Sequence, residues 1–306
     1  MRVFVSGASG VLGRRLVGLL AARGHEVRGL ARSAEAEERV RRAGGIPVAA
    51  DLFDKGSLAR GAEGCEVLIH AATSIPQKRR PSLADFALND RIRRDGTRAL
   101  LECAQIIGAR RVVFQSIVWA ARPADGAPFD ENSPPGPDPV AQSALDGERM
   151  IAEAGFSTLR CGWFYGPDAS TRGLADALRR RRLRVIGGAA KLSFLHLDDA
   201  AAAFALAAEQ AGPGLWHVVD DEPASSADFF RALADRIGAP PPRTVPKWLA
   251  RLGASRMSVD FLCTPMVTTA AKFRRDFRWI AKYPTYREGL DQTAAQWRQE
   301  AAQRRP

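Results

Sequence analysis

The first thirteen residues constrain the fold more than any other stretch of the chain. Residues 2–6 are an apolar run rich in β-branched and aromatic side chains, which predicts a buried strand. Gly7, Gly10 and Gly13 follow without a gap, and apolar residues then recur on a helical period. A strand, a glycine turn and a helix in this order predict the phosphate-binding start of a dinucleotide fold. The turn lets the backbone approach a pyrophosphate, and the helix N-terminus offers it free N–H groups.

Short apolar runs keep alternating with helical segments as far as residue 162. Further strands are predicted at residues 25–31, 46–50, 67–70, 111–115 and 157–161. This pattern predicts an α/β fold of Rossmann type, a doubly wound parallel sheet with ligands at the carboxyl ends of its strands. We expect residues 1–162 to form the dinucleotide-binding Rossmann domain. Residues 163–306 are expected to form mostly a smaller C-terminal lobe that caps the substrate and is interleaved with the sheet.

The composition argues against a membrane span and against a metal site. The chain has 306 residues, of which 46% are hydrophobic, so it can bury a sizeable core. No window approaches the roughly 18 uninterrupted apolar residues of a membrane span. The chain starts without a signal-peptide pattern, and its four cysteines are scattered without a C-x-x-C pair. We therefore predict a cytoplasmic protein without a metal ion.

The chain is strongly basic, with a formal net charge of +11 and a pI near 10.2. Such a charge attracts anions, including phosphorylated cofactors, acidic substrates and nucleic acid. An arginine-rich composition with a solvated basic surface is the preferred explanation of the charge, because no helix-turn-helix or basic-aromatic pattern favours nucleic acid. We predict a small-molecule substrate and neither a nucleic-acid nor a membrane partner. A homodimer is compatible with the sequence.

The end of the second predicted strand indicates which dinucleotide the chain binds. NAD-selective folds place an Asp or Glu there to hold the ribose 2′-hydroxyl. Here Ala31 takes that place, and Arg32 and Ser33 follow it. An arginine pairs with a 2′-phosphate through charge-assisted hydrogen bonds, and a serine adds a hydroxyl. The sequence therefore predicts a preference for NADP(H) over NAD(H).

Later motifs carry a family resemblance that covers nearly the whole chain. They are Ile69-His70-Ala71-Ala72, Gly96-Thr97, Phe164-Tyr165-Gly166-Pro167, His196-Leu197-Asp198-Asp199 and Val218-Val219-Asp220-Asp221-Glu222-Pro223. With the glycine motif they resemble the extended short-chain dehydrogenase/reductase family, which includes NAD-dependent epimerase/dehydratases and dihydroflavonol-reductase-like enzymes. The set is specific to this superfamily and does not identify a substrate.

The resemblance extends the predicted cofactor site beyond the glycine loop. Asp51 and Leu52 would flank the adenine, and residues 71–73 would line the ribose and nicotinamide side. The predicted cofactor contacts are Gly7, Ser9, Gly10, Val11, Leu12, Gly13, Arg32, Ser33, Asp51, Leu52, Ala71, Ala72 and Thr73.

Two residues are candidates for catalysis. Ser116, at the end of the fifth strand, falls where the family carries its substrate-polarising Ser or Thr, although a serine that caps the loop fits as well. Tyr165 would lie near the nicotinamide as a replacement acid, or would pack against the cofactor. The aromatic residues Trp119, Trp163 and Phe164 would form a substrate wall, and core packing explains them nearly as well.

The catalytic positions of the family are where this chain departs from the resemblance. The family carries a Tyr and, four residues later, a Lys, whose ammonium lowers the pKa of the phenol. Here the matching window holds Val140 and Ala144, and neither can transfer a proton. Arg93 also replaces an Asn that the family usually places before Gly96-Thr97. The chain thus resembles an atypical member that lacks the two residues of the family's standard redox mechanism.

We expect an NADP(H)-binding oxidoreductase or epimerase/dehydratase-like enzyme that acts on a small carbonyl or hydroxyl substrate. The missing Tyr/Lys pair keeps two alternatives open. One is a non-redox enzyme on the same scaffold, such as an isomerase, lyase or cyclase. The other is a non-enzymatic regulator that senses NADP(H).

Overall fold

Helices and strands alternate along the chain in the computed structural model, which describes residues 1–76, 78, 80–187 and 190–303. The strands are β1 (Arg2–Ser6), β2 (Glu26–Leu30), β3 (Ile46–Val48), β4 (Val67–His70), β5 (Arg111–Ile117), β6 (Ser157–Cys161), β7 (Trp163–Tyr165), β8 (Arg184–Ile186), β9 (Lys191–Leu192), β10 (Phe194–His196), β11 (Gly214–Val218), β12 (Ala224–Ser225) and β13 (Arg243–Val245). The α-helices are α1 (Val11–Ala22), α2 (Ala34–Arg42), α3 (Lys55–Gly61), α4 (Ala87–Arg91), α5 (Thr97–Ile107), α6 (Gln142–Glu153), α7 (Ala169–Arg179), α8 (Leu197–Gln210), α9 (Ser226–Arg236), α10 (Lys247–Gly253), α11 (Arg256–Cys263), α12 (Ala271–Phe277) and α13 (Tyr286–Gln303).

The centre of the molecule is a seven-stranded sheet in the order β11-β6-β5-β4-β1-β2-β3. All of its neighbouring strands run parallel; Val3 of β1, for example, pairs with Val27 of β2 and with Val67 of β4. The chain proceeds outward from β1 to β3 on one side and from β4 to β6 on the other. This is the doubly wound arrangement, whose ligand site lies where the strand order reverses. The predicted Rossmann-type parallel sheet is confirmed.

Both faces of the sheet are buried because strand side chains alternate between them. In β1, Val3 and Val5 join one apolar core, and Phe4 between them joins the other. The helices α1 and α8 pack together on the first face, and α3, α5 and α6 cover the second. Buried strands of this kind read as continuous apolar runs, which is why the sequence revealed them.

The connection from β4 to β5 is less regular than the single long helix, broken near Asp90, that the sequence predicts for residues 83–107. It consists of a 3-10 turn at Leu83–Phe86, then α4, a π-helical turn at Ile92–Gly96, and finally α5. Gly108 ends α5 in the left-handed conformation, with φ +68°. A π-turn inserts one residue into the helical ladder, so it rotates the side chains that follow it.

Beyond residue 162 the chain builds over the carboxyl edge of the sheet and also returns to it. The strands β7 and β10 form a short parallel pair, and β11 then extends the central sheet next to β6. The helices α10 and α11 follow late in the chain, and residues of α11 reach the cleft described below. Residues 163–303 thus contribute both to the sheet and to the cover of its carboxyl edge.

In the part of the chain that the structure describes, no helix is long and apolar enough to cross a membrane. The same residues include no group of three or more His, Cys, Asp or Glu side chains arranged to hold a metal ion.

Candidate active site

The loop between β1 and α1 has a geometry that only glycines permit. Gly7 adopts φ +80°, and a Cβ there would lie 2.6 Å from the Ala71 carbonyl carbon. The Gly10 N–H donates to the Gly7 carbonyl oxygen at 2.9 Å, and a Cβ on Gly13 would lie 2.1 Å from the same oxygen. No side chain caps the start of α1, so the N–H groups of its first turn are left for a ligand. An uncapped helix N-terminus beside a glycine loop binds phosphate.

A cleft of about 1130 Å³ runs from this loop along the carboxyl ends of the sheet strands. The predicted cofactor residues that line it are Gly7, Ser9, Gly10, Val11, Leu12, Gly13, Arg32, Ser33, Leu52, Ala71, Ala72 and Thr73. The structure therefore gathers every predicted cofactor residue except Asp51 in one cleft.

Asp51 does not line the cleft, contrary to its predicted place beside the adenine. Its Oδ1 accepts a hydrogen bond from the Phe53 N–H at 3.0 Å, so the carboxylate is turned into its own loop. Phe53 lines the cleft instead, and the Arg91 guanidinium lies 3.9 Å from its ring centroid. A short acidic side chain that caps the loop after a strand is a common turn device. The geometry therefore does not support a cofactor contact for Asp51.

Two guanidinium groups line the cleft beyond the end of β2. Arg32 lies two residues after Leu30, the last residue of β2, and Arg39 of α2 joins it. Arg39 lies 3.4 Å from Glu35, and its Nε is buried without a hydrogen-bond partner among the described residues. The Ser33 hydroxyl caps α2 by accepting from the Ala36 N–H at 3.2 Å. This end of the cleft thus presents positive charge.

Aromatic side chains wall the opposite end of the cleft. Trp119, Trp163 and Phe164 are half-buried and line it together with Phe261 of α11. The Phe261 ring packs edge-on against Trp119, with centroids 5.5 Å apart, and lies 5.9 Å from the Trp163 ring. Partly exposed aromatic rings around a concave surface suit a flat, aromatic ligand. The arrangement favours a substrate wall over simple core packing.

Ser116 stands in the sequence between two residues that line the cleft, but its own side chain does not line it. Its neighbours Gln115 and Ile117 line the cleft, whereas Ser116 is fully buried and its hydroxyl donates to Glu148 of α6. Successive strand residues point to opposite faces, so the phase of β5 turns the serine toward the helix layer. The geometry therefore does not support the predicted role of Ser116 at a substrate carbonyl.

The group that holds Ser116 belongs to a buried polar chain behind the cleft. Glu148 pairs with Arg160 through two hydrogen bonds of 2.9 and 2.6 Å, and both side chains are less than a tenth exposed. Arg160 lies 3.5 Å from His217 Nε2, and His217 Nδ1 lies 2.7 Å from the Thr268 hydroxyl. Burial lowers the pKa of His217 to about 3, so its ring is neutral. This chain of polar side chains links α6, β6 and β11 and leaves Glu148 no free oxygen for the cleft.

Tyr165 is also placed away from the cleft. Its hydroxyl donates to Asp220 at 2.9 Å, and its ring packs within 5.3 Å of His196 and Phe229. Burial and the neighbouring carboxylate raise the pKa of Tyr165 well above its usual value. A phenol that is buried and bonded in this way cannot reach a substrate, so the geometry does not support a catalytic role for it.

The positions that carry the acid pair in the resembled family hold no proton donor here. Val140 lines the cleft and Ala144 is fully buried. Asp138 also lines the cleft, but it accepts hydrogen bonds from Arg122 and from the Val140 N–H. Burial raises the pKa of the Cys161 thiol far above its usual value. Among the described residues, no Tyr, Lys, His or Glu side chain lines the cleft.

Two polar residues that the sequence analysis gave no role line the same cleft. Asn89 is fully buried and Arg93 is 2% exposed, and each has a buried nitrogen without a hydrogen-bond partner in the described chain. They are four residues apart, a spacing that places side chains on one face of a helix. That spacing was a readable signal, but the π-turn that positions Arg93 was not.

Comparison with known proteins identifies the family. The model of the NAD-dependent epimerase/dehydratase family matches residues 3–218. A 3-diazoavenalumate denitrifying reductase from a Streptomyces species is 37% identical over 305 residues, covering 95% of this chain and 99% of that protein. A 4-hydroxy-2-methyl-3-oxo-4-farnesyl-3,4-dihydroquinoline-1-oxide ketoreductase from Stigmatella aurantiaca is 32% identical and covers 95% of each chain.

Solved structures show the same fold. A dTDP-glucose 4,6-dehydratase from Streptomyces venezuelae with NAD bound superposes with a TM-score of 0.83 at 23% identity, covering 99% of this chain and 98% of that one. A UDP-glucose 4-epimerase from Thermotoga maritima has a TM-score of 0.81 at 18% identity and covers 98% and 100%.

The chain belongs to the NAD-dependent epimerase/dehydratase family, as the resemblance implied. Relatives named as reductases and epimerases point to an enzyme of the short-chain dehydrogenase/reductase type.

Proposed function

We propose that this protein is an NADP(H)-dependent reductase that delivers a hydride to a small aromatic acceptor whose reduction requires no proton from the enzyme. One observation carries the proposal. The cleft combines a complete glycine loop with a substrate end that, in the described residues, lacks every side chain that usually acts as a proton donor in this family. General acid–base help is worth roughly 100- to 10,000-fold in rate, so its loss favours acceptors that do not need it.

The residues present fit a dinucleotide. The cradle around Gly7 and Gly13 has no space for a Cβ, and the first turn of α1 has no side-chain cap. In this proposal the glycine loop holds the pyrophosphate, residues 71–73 line the ribose and nicotinamide side, and Leu52 flanks the adenine. Arg32 and Arg39 hold the 2′-phosphate, because both guanidinium groups line the cleft where β2 ends.

An aryl diazonium ion has the required chemistry. When bound, reduced nicotinamide supplies a hydride, and such an acceptor takes it with loss of dinitrogen, so that a C–H bond replaces the C–N bond and no proton is consumed. A carbonyl acceptor differs, because the alkoxide that it forms must be protonated. The name of one relative, a 3-diazoavenalumate denitrifying reductase, agrees with a diazonium acceptor.

This chain's own residues position the acceptor and exclude water. The rings of Trp119, Trp163 and Phe261 form a wall on which a flat ring can stack. Val140 contributes apolar surface where the resembled family carries its catalytic Tyr, and Ile117 adds apolar surface to the same cleft. A dry apolar surface protects a reactive acceptor from hydrolysis before reduction.

The test compares two acceptors on the same ring, 4-methoxybenzenediazonium and 4-methoxybenzaldehyde. Each is mixed with protein and NADPH that carries deuterium on either face of the nicotinamide C4. We expect anisole with deuterium at the carbon that carried nitrogen, and aldehyde reduction slower by at least about 100-fold, the scale of the missing acid. Mixtures without protein give the background rate.

A double variant sharpens this comparison. Val140→Tyr with Ala144→Lys introduces the missing pair, and the rate of aldehyde reduction should rise relative to that of the diazonium ion. Equal rates with both acceptors in the unaltered protein would contradict the proposal. NADPH binding with reduction of neither acceptor would favour the non-redox alternatives.

A further inference from the structure

The side chain of Arg93 is a buried cation that forms no ion pair with any residue that the structure describes. It is 2% exposed, and its Nε is buried with no hydrogen-bond partner in the described part of the chain. Burial lowers its pKa to about 10, so the guanidinium remains charged at neutral pH. Isolated buried charges are strongly unfavourable, and proteins normally pair them. Among the described residues none supplies an anion to this guanidinium, so the anion has to come from a ligand.

The neighbouring carboxylates do not fill this role. Glu148 and Asp90 are near enough to influence the charge of Arg93, but neither forms an ion pair with it. Both oxygens of Glu148 are taken by Arg160, and one also accepts from Ser116. What remains open to Arg93 is the cleft that it lines.

The cleft that Arg93 lines also offers a second donor and an aromatic surface. Asn89 is fully buried and lines the same cleft; its Oδ1 accepts from the Ser74 N–H at 3.0 Å, and its Nδ2 has no hydrogen-bond partner in the described chain. Trp119 and Trp163 line the cleft as well. An amide nitrogen and a guanidinium are both donors, and a carboxylate accepts from two donors at once.

We propose that Arg93, assisted by Asn89, binds a carboxylate of the substrate, so that the acceptor is an aromatic acid whose ring stacks on the tryptophan wall. This inference specifies the substrate class of the function proposed above and rests on the same cleft. Arg93 is a binding residue in this account, and the reaction itself takes place at another part of the ring.

Binding without turnover tests this inference separately from the hydride chemistry. Benzoate and benzamide have the same shape and differ in charge, so calorimetric titration of each into the protein–NADP⁺ complex isolates the carboxylate. We expect benzoate to bind at least tenfold more tightly than benzamide. Arg93→Met should abolish that difference, and Arg93→Gln, which keeps a polar donor, should reduce it.

Arg94→Met is the matched control, because Arg94 is the next residue and pairs with Asp146 on the helix surface. It should retain the preference for benzoate. The melting temperature of Arg93→Met without ligand should be equal to or above that of the unaltered protein, because the substitution removes an unpaired buried charge. A guanidinium that only supported the fold would instead lower it.

Three results would overturn the assignment. They are equal affinity for benzoate and benzamide in the unaltered protein, a preference retained in both Arg93 variants, or a weakened NADP⁺ affinity in those variants with the preference unchanged. The last result would assign the guanidinium to a cofactor phosphate. Diazonium reduction without a preference for benzoate would support the proposed function and contradict this inference. A preference for benzoate without diazonium reduction would support this inference and contradict the proposed function.

Discussion

In the function proposed above, two arginines beyond the end of β2 set which dinucleotide this cleft prefers. Arg32 and Arg39 both line it, and the Nε of Arg39 has no hydrogen-bond partner among the described residues. A 2′-phosphate carries up to two negative charges and accepts bidentate hydrogen bonds from a guanidinium. The ribose 2′-hydroxyl of NAD(H) offers neither. The two arginines therefore favour NADP(H).

Arg32→Ala should raise the Kd for NADP(H) by about 10- to 100-fold, because a hydrogen bond to a charged group contributes about 1.5–3 kcal/mol. The Kd for NAD(H) should change by less than about twofold, since NAD(H) lacks the phosphate. Fluorescence titration of both cofactors measures the ratio. Arg41→Ala is the control, because Arg41 is an exposed residue of the same helix as Arg39, is not among the residues that line the cleft and pairs with Glu37. An unchanged ratio in Arg32→Ala would contradict the NADP(H) preference.

At the scale of residues, the predicted site agrees with the geometry where backbone chemistry selects the residue and departs from it where side-chain direction decides. The glycines of the first loop were predicted because no other residue fits their backbone and their neighbours. Ser116 was assigned to the substrate from its place at a strand end, but the sequence did not reveal the phase of β5. A shift of one residue along β5 exchanges the side chains that face the cleft with those that face the helix layer. Gln115 and Ile117 are on the cleft side.

At the scale of elements, the contact between β1 and α1 is the closest packing around the cleft. A Cβ on Gly13 would lie 2.1 Å from the Gly7 oxygen, whereas a Cβ on Gly18 of the same helix would lie at an ordinary 3.5 Å from the Ala43 oxygen. The helix can approach the loop this closely only because position 13 has no side chain. The two glycines therefore provide a matched pair.

Gly13→Ala should destabilise the protein by about 1–3 kcal/mol or more, because overpacking forces the backbone to shift. It should also weaken dinucleotide binding, since the loop must move. Gly18→Ala should be neutral or stabilising by about 0.5–1 kcal/mol through helix propensity. Chemical denaturation and cofactor titration of both variants measure these effects. Similar stabilities for the two variants would show that the close contact is not needed.

The helical segment before β5 shows what an element-level pattern cannot resolve. The sequence predicts one long helix over residues 83–107 that is broken near Asp90, and the structure contains a π-turn close to that break, at Ile92–Gly96. A π-turn depends on the hydrogen-bond pairing of a few residues and leaves composition and period nearly unchanged. The sequence therefore revealed that Arg93 was unusual for the family but not that it would be buried against the cleft.

At the scale of the whole molecule, buried histidines and a buried aspartate make opposite contributions to the pH dependence of stability. Burial lowers the pKa of His70 and His196 to about 4 and that of His217 to about 3, all from 6.5. Burial raises the pKa of Asp220 from 3.8 to about 8.

The net charge of +11 is a property of the whole chain as well. The absence of a nucleic-acid partner, the homodimer and the cytoplasmic location stay predictions.

Stability should therefore be greatest near pH 6.5. Between pH 6.5 and about 4 the unfolded chain protonates three histidines that stay neutral when folded, and ionises Asp220, which stays protonated. Three protons taken up and one released leave about two taken up on unfolding, so stability falls as the pH falls. Between pH 6.5 and 8 the Asp220 contribution is lost as the pH rises.

Thermal unfolding from pH 4 to 8 measures this profile. Asp220→Asn should be less stable near pH 4, because Tyr165 and the His196 N–H both donate to the carboxyl group of Asp220 and an amide has only one acceptor oxygen. Toward pH 8 this difference should shrink, because an amide does not ionise. The variant should also lose the decline above pH 6.5. A melting temperature that rises steadily from pH 6.5 to pH 4 would contradict the assignment of neutral buried histidines.

The polar chain behind the cleft has a consequence for substitutions in this protein. Ser116, Glu148 and Arg160 anchor α6 to the sheet through groups that do not line the cleft. These hydrogen bonds do not involve the side chain of Val140, which lines the cleft. We therefore expect a substitution at position 140 to change the groups that face a ligand while α6 stays attached to the sheet.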